Sequence, residues 1–136
     1  MVKNIVKDVM FLGQKSSPAT KEDLYIGQDL KDTLLAHHHE CVGMAANMIG
    51  YRKNIIIVSF GIMDVVMYNP EIIKGQGKFK AEEGCLSLTG VRPCERYRKI
   101  TVKYQDESFA WQTKEFSDFT AQIIQHECDH LKGIII

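Results

Sequence analysis

Gln125-His126-Glu127-Cys128-Asp129-His130 places H-E-x-x-H inside a stretch of helical period, and its reading sets the expectation for the rest of the chain. At about 100° per residue, His126 and His130 lie a turn apart on one helix face. Both imidazoles can then reach one metal ion, with Glu127 beside them; the plain alternative is a pair of hydrogen-bonded core histidines. Ser117 or Asp118 can cap the start, and Gly133 stands where a left-handed closing residue is wanted, which predicts a helix over about 117–132. Ala121, Ile124, Cys128 and Leu131 form one apolar stripe, while Phe119, Ile123, His126 and His130 form a second on nearly the opposite side. A helix so patterned is buried on two sides. Gln122, Gln125, Asp129 and Lys132 fill the polar arc between, where they can orient the histidines from behind. A catalytic Zn²⁺ or Fe²⁺ usually takes three protein ligands, so a third must come from elsewhere.

The whole chain narrows the setting. Its 136 residues predict one domain, 1–136, large enough to bury a core without staples. Seventeen basic and 17 acidic side chains cancel, so neither nucleic acid nor an anionic membrane surface is an expected partner. Four cysteines, Cys41, Cys85, Cys94 and Cys128, lack C-x-x-C spacing, and no apolar signal region follows Met1. A reduced, cytoplasmic setting is expected. No apolar run approaches the ~20 residues that span a bilayer.

Residues 1–19 read as a loosely structured arm packed across the domain. Thr20 and Asp23 have capping-box spacing, and Ile26, Leu30 and Leu34 recur at helical period, predicting a helix over about 21–39 despite Gly27. His37-His38-His39 point in different directions on such a helix and read as its solvated end. Residues 55–60 and 65–68 are β-branched runs around Gly61-Ile62-Met63-Asp64, a predicted hairpin that Asn69-Pro70 ends. Residues 71–74 and 78–80 predict a second, short pair around Gly75-Gln76-Gly77, and 100–104 with 109–116 a third. Strands in the middle with one helix on either side argue for an α+β fold, with antiparallel sheets packed on the late helix.

Between these strands lies Glu82-Glu83-Gly84-Cys85-Leu86-Ser87. Cys85 can supply a thiolate to Zn²⁺ or Fe²⁺, or it can be an ordinary buried cysteine. Upstream, Cys41-Val42-Gly43-Met44-Ala45-Ala46-Asn47-Met48-Ile49-Gly50 is rich in small residues. It reads either as a tight turn or as a backbone edge laid against an extended substrate.

Taken in order, these three stretches resemble the motifs of peptide deformylases: G-h-G-h-A-A-x-Q, E-G-C-h-S and H-E-x-D-H, where h is apolar. Residues 83–87 and 126–130 match the second and third completely, and the resemblance runs from Ile5 to Gly133. It implies the deformylase fold and makes Cys85 the third ligand beside His126 and His130. It also implies one divalent ion, natively Fe²⁺ and replaceable by Zn²⁺ or Ni²⁺. Glu127 becomes the general base and the Leu86 N–H an oxyanion donor in the hydrolysis of N-formylmethionyl peptides or nascent chains to release formate. The resemblance implies that Val42, Gly43, Phe119, Ile123 and the ring of His126 surround methionine, that the backbone of Val42 to Met44 and around Thr89-Gly90 pairs with the extended peptide, and that Arg92 matches an arginine near the pocket. A monomer is the default assembly.

Two positions of the first motif depart from the family. Cys41 replaces its leading glycine, and Met48 replaces the glutamine whose amide would donate to the oxyanion, so reduced activity is expected. The chain also ends soon after Gly133, where family members usually continue. The alternative from another class is a metal-bound, catalytically silent, deformylase-like peptide-binding protein. A zinc endopeptidase would share H-E-x-x-H but has no need of Glu-Gly-Cys-Leu-Ser.

Overall fold

The computed structural model describes residues 1–135. In order these form α1 (Val9–Leu12), a 3₁₀ turn Lys21–Asp23, α2 (Leu24–Ala36), β1 (Gly43–Ala45) and a 3₁₀ turn Ala46–Ile49. Then follow β2 (Ile55–Ser59), β3 (Asp64–Cys85), β4 (Leu88–Gln105), β5 (Trp111–Ser117) and α3 (Asp118–Leu131). All five strands join one antiparallel sheet in the order β1-β2-β3-β4-β5. The α+β expectation holds, with one sheet in place of several. No helix among the described residues is long and apolar enough to cross a membrane.

The run Ile55-Ile56-Ile57-Val58 is apolar at every position because β2 is covered on both faces. Side chains alternate along a strand, so Ile55 and Ile57 join α2 residues Ile26, Leu30 and Leu34 in one core. Ile56 and Val58 join Ala121, Ile124, Cys128 and Leu131 of α3 in the other. The sheet thus packs on the stripe of Ala121, Ile124, Cys128 and Leu131, and not, as expected, on the opposite stripe, of which Ile123 alone joins this core while Phe119 is exposed.

Both ends of α3 lie where its sequence places them, with one difference in chemistry. Ser117 makes no side-chain capping bond, and Asp118 begins the helix in the left-handed region at φ 55°. At the other end Gly133 adopts φ 78°, its N–H bonds the His130 carbonyl at 3.0 Å, and the Ile134 N–H bonds the Asp129 carbonyl at 3.0 Å. That is a Schellman closure.

Three expectations are corrected. The early helix stops at Ala36, and His37 to Glu40 form a turn in which His37 Nδ1 meets Glu40 Oε2 at 3.0 Å. Gly75-Gln76-Gly77 is no hairpin turn: it lies inside the 22-residue β3, which pairs with the 18-residue β4. A Cβ on Gly75 would come within 2.7 Å of the Tyr97 ring, so the glycine makes room for a cross-strand aromatic. Asn69-Pro70 likewise does not end a strand. It sits at a β-bulge between Tyr68 and Glu71, where the missing proline N–H breaks no ladder bond.

Gly27, which weakens α2 by its propensity, faces Tyr68: a Cβ there would overlap the phenol hydroxyl. Gly27→Ala gains up to ~1 kcal/mol in helix propensity but overpacks a buried contact, which costs ~1–3 kcal/mol. The expected net result in urea unfolding is a loss of about 1–2 kcal/mol, part of which Tyr68→Phe restores in the double variant. A more stable Gly27→Ala chain would contradict this packing.

Candidate metal centre and adjoining cleft

Strand β3 delivers Cys85 at its last position, the turn Leu86-Ser87 reverses the chain, and Leu88 opens β4 opposite Cys85. From the other side α3 presents His126 and His130 a turn apart, with ring centroids at 4.5 Å. One donor atom from each of Cys85, His126 and His130 lies within 4.8 Å of the other two. The Ser87 N–H also donates to Cys85 Sγ at 3.3 Å.

Behind His126 stands a carboxylate that the sequence motif contains but to which the sequence reading gives no role. Glu83 precedes Cys85 by two residues, so alternation puts both on the face turned to α3. Its Oε1 meets His126 Nδ1 at 2.7 Å, while Gln122 Nε2 donates to its Oε2 at 2.7 Å. Arg96, 4% exposed, donates to Glu83 from Nε and from Nη2, the latter at 2.7 Å, and from Nη1 to Asp129 at 2.8 Å. Gln122 and Asp129 of the polar arc thus do support the histidine face. Gln125 does something else: its amide takes the Tyr97 N–H at 2.7 Å and donates to the Tyr97 carbonyl at 2.8 Å, fixing α3 to β4.

This arrangement sets the charges. Burial alone would push the Glu83 carboxyl up, but its bonds to His126, Arg96 and Gln122 outweigh it and hold the group down to about 2. Burial likewise opposes a Cys85 thiolate, yet the adjacent imidazoles of His126 and His130 bring the thiol down to about 6. Both histidines rise, against burial, because Cys85 pairs with each and Glu83 and Glu127 add negative charge. These shifts favour the thiolate at Cys85, the form that binds a cation. Cys41 and Cys128, by contrast, are each pushed by burial to about 12.

Beside the cluster opens a cleft of about 550 Å³. Val42, Gly43, Leu86, Gly90, Phe119 and Ile123 of the expected site line it, with Cys85, His126 and Glu127. Gly43 is required there, since a Cβ would fall 2.7 Å from Ile123 and 3.2 Å from Glu127 Oε2. Met44 and Arg92 do not line the cleft: Met44 is wholly buried in the α2 core, and Arg92 Nη1 reaches the Thr89 carbonyl at 3.4 Å. At the two altered motif positions, the Cys41 thiol donates to the Gly43 carbonyl at 2.7 Å, and Met48 Sδ accepts the Ala45 N–H at 3.5 Å. Met48 is 1% exposed yet borders the cleft.

Comparison with known proteins gives the family. The family described as Polypeptide deformylase matches residues 2–136. The chain is 52% identical to a peptide deformylase of Clostridium beijerinckii, over the whole of both. It is 33% identical to that of Thermotoga maritima over 92% of this chain and 78% of the relative. A Met-Ala-Ser-bound crystal structure of class I type b peptide deformylase from Acinetobacter baumannii superposes with TM-score 0.89 at 30% identity, covering 99% of this chain and 97% of the other. A Thermotoga maritima peptide deformylase structure gives 0.88 at 30% identity, covering 99% and 95%. The chain belongs to the polypeptide deformylase family.

Proposed function

We propose that this chain is a metal-dependent hydrolase that removes the formyl group from N-formylmethionyl peptides and releases formate. The observation that carries the reading is the convergence of one thiol and two imidazoles beside Glu127, at the wall of a cleft that can hold an extended peptide. One thiolate and two neutral imidazoles suit Fe²⁺, Zn²⁺ or Ni²⁺. Glu127 Oε1 and His130 Nδ1, both buried without hydrogen bonds among the described residues, are the bonding capacity such a site holds in reserve. Cys85, His126 and His130 would hold the ion, with Fe²⁺ the native choice; what it supplies is acidification of water, from a pKa near 16 toward about 7.

The chain's own groups do the rest. Glu127 accepts the proton of the attacking water and returns it to the amine as the formyl C–N bond breaks. Leu86 N–H donates to the carbonyl oxygen as charge develops there. Phe119 and Ile123 pack on the methionine side chain. Among the described residues strand β1 pairs on one side only; just before it the Val42 carbonyl accepts the Ser59 N–H at 2.9 Å, so the peptide groups of Gly43 face away from β2, where its carbonyl already accepts the Cys41 thiol. That edge pairs with the peptide by strand addition, while Leu88 and Gly90 of β4 line the same cleft.

Cys85→Ala is expected to lower bound metal sharply, whereas Cys94→Ala and Cys128→Ala leave it unchanged; metal analysis of the purified chains decides. Full loading of Cys85→Ala would remove this site from consideration. Glu127→Ala should keep the metal and lose formate release from formyl-Met-Ala-Ser, assayed anaerobically with Fe²⁺. Equal turnover by both chains would place the base elsewhere.

Met48→Gln tests the altered motif. The new Oε1 can accept the Ala45 N–H now taken by the thioether, which leaves Nε2 as a donor toward the cleft. A gain of about 10-fold to 10³-fold in kcat with a smaller change in KM is expected, the reverse of losing an oxyanion donor. A folded, metal-loaded Met48→Gln chain with no gain on any N-formylmethionyl peptide favours the silent peptide-binding reading.

A further inference from the structure

A second cavity, of about 10 Å³, is lined by Asn47, Ser87 and His130 together with Leu12, Leu88 and Ile134. Its three polar residues are 1%, 3% and 6% exposed, and each carries a buried atom without a hydrogen bond among the described residues: Asn47 Oδ1, Ser87 Oγ and His130 Nδ1. Space for about one water and three polar partners is what a buried water requires. Asn47 is also tied to His130 directly. Its Nδ2 donates to the His130 carbonyl at 2.9 Å, the same oxygen that accepts the Gly133 N–H in the closing turn of α3. The 3₁₀ turn that carries Asn47 is itself pinned, since the Met48 carbonyl accepts the Val6 N–H at 2.7 Å.

We propose that this cavity is a one-water site, and that Asn47 is a positioning residue for His130, acting on its backbone through Nδ2 and on its ring through that water. The inference rests on the reading of His130 as a metal ligand. An imidazole that gives one nitrogen to a cation carries its proton on the other, and that N–H needs an acceptor. Glu127 Oε1 lies 3.3 Å from His130 Nδ1 without the alignment of a hydrogen bond. Were Glu127 to take that N–H, it would be drawn away from the water it must deprotonate. A buried water accepts from Nδ1–H instead, donates to Asn47 Oδ1 and shares its remaining bond with Ser87 Oγ. The Asn47 carboxamide offers the donor for the His130 carbonyl and the acceptor for the water on two separate atoms.

The test uses the full chain with Zn²⁺ as ligand. Chelator competition gives the affinity of the parent, Asn47→Leu and Ser87→Ala, and thermal unfolding of the metal-free chains shows whether the variants fold. Co²⁺ replaces Zn²⁺ for the d–d spectrum. In Asn47→Leu the affinity should fall about 10- to 100-fold, and in Ser87→Ala by a smaller factor. The d–d bands should shift while the thiolate charge-transfer band persists. A crystal structure of the parent should show one water between the three residues. Unchanged affinity and spectrum in a folded Asn47→Leu chain, or a dry cavity, overturns the proposal. If Asn47→Leu does not fold, Asn47→Ser, too short to reach the His130 carbonyl, takes its place under the same criteria. A parent that binds no Zn²⁺, or binds it equally well as Cys85→Ala, overturns instead the ligand assignment beneath it.

Discussion

A carboxylate that is 8% exposed holds this structure in its register. An ion taken out of water costs several kcal/mol unless its bonds are nearly complete, and Glu83 meets that demand with Arg96, Gln122 and His126. Those partners come from β4 and from two positions of α3, and Arg96 closes the loop by reaching Asp129. The rotation of α3 about its own axis is therefore fixed by charge as well as by its apolar stripe. Loss of the Glu83 carboxylate would leave Gln122 Nε2 and His126 Nδ1 without this partner and Arg96 with Asp129 and the Glu95 carbonyl alone, so the network depends on Glu83. It also selects a tautomer. With His126 Nδ1 engaged by Glu83, the other ring nitrogen is the one left for a cation.

The same strand that carries Glu83 carries Cys85, two residues on, and this short spacing joins the charged network to the donor cluster. Both side chains face α3 because β3 alternates, and both reach it because β3 is long. A hairpin of this length could slip in register, yet a slip by one residue would turn Glu83 and Cys85 outward together. The bulges at Tyr68/Glu71 and Ile72/Lys74 pin the register on the near side. The Glu83–Arg96 pair pins it close to the tip.

Helix α3 was legible because its information is local. The stripe, the histidine spacing and Gly133 all lie within one segment, and the closing hydrogen bonds span only a few residues. Strands β3 and β4 were not, because Gly75-Gln76-Gly77 and Asn69-Pro70 carry the same composition as turns. What decides between turn and strand there is the partner: Tyr97 fills the space above Gly75, and a bulge absorbs Pro70. The supports of the cluster were hidden for a similar reason. Asn47 meets the His130 carbonyl from 83 residues away, and Arg96 meets Glu83 from 13, so neither has a local signature. A glutamate two residues before a candidate ligand cysteine was the one available signal for Glu83, since strand alternation predicts that the two share a face.

The sequence leaves an enzyme and a silent binder as rivals, and the burial of Glu127 bears on that choice. Its carboxylate is 5% exposed, and Oε1 has no hydrogen bond. A buried acceptor left unsatisfied costs about 1–3 kcal/mol, more when charged. A descendant kept only for its fold would gain stability by exchanging that side chain for an apolar one of similar volume. Room has instead been made for it: Gly43 lacks the Cβ that would crowd Oε2, on the strand whose free edge faces the cleft. A glycine in a strand gives up backbone entropy on folding and adds nothing to the core. Two local losses at one contact are coherent if the carboxylate must stay beside the donor cluster with an oxygen unengaged, which is what proton transfer asks of it and peptide binding alone does not.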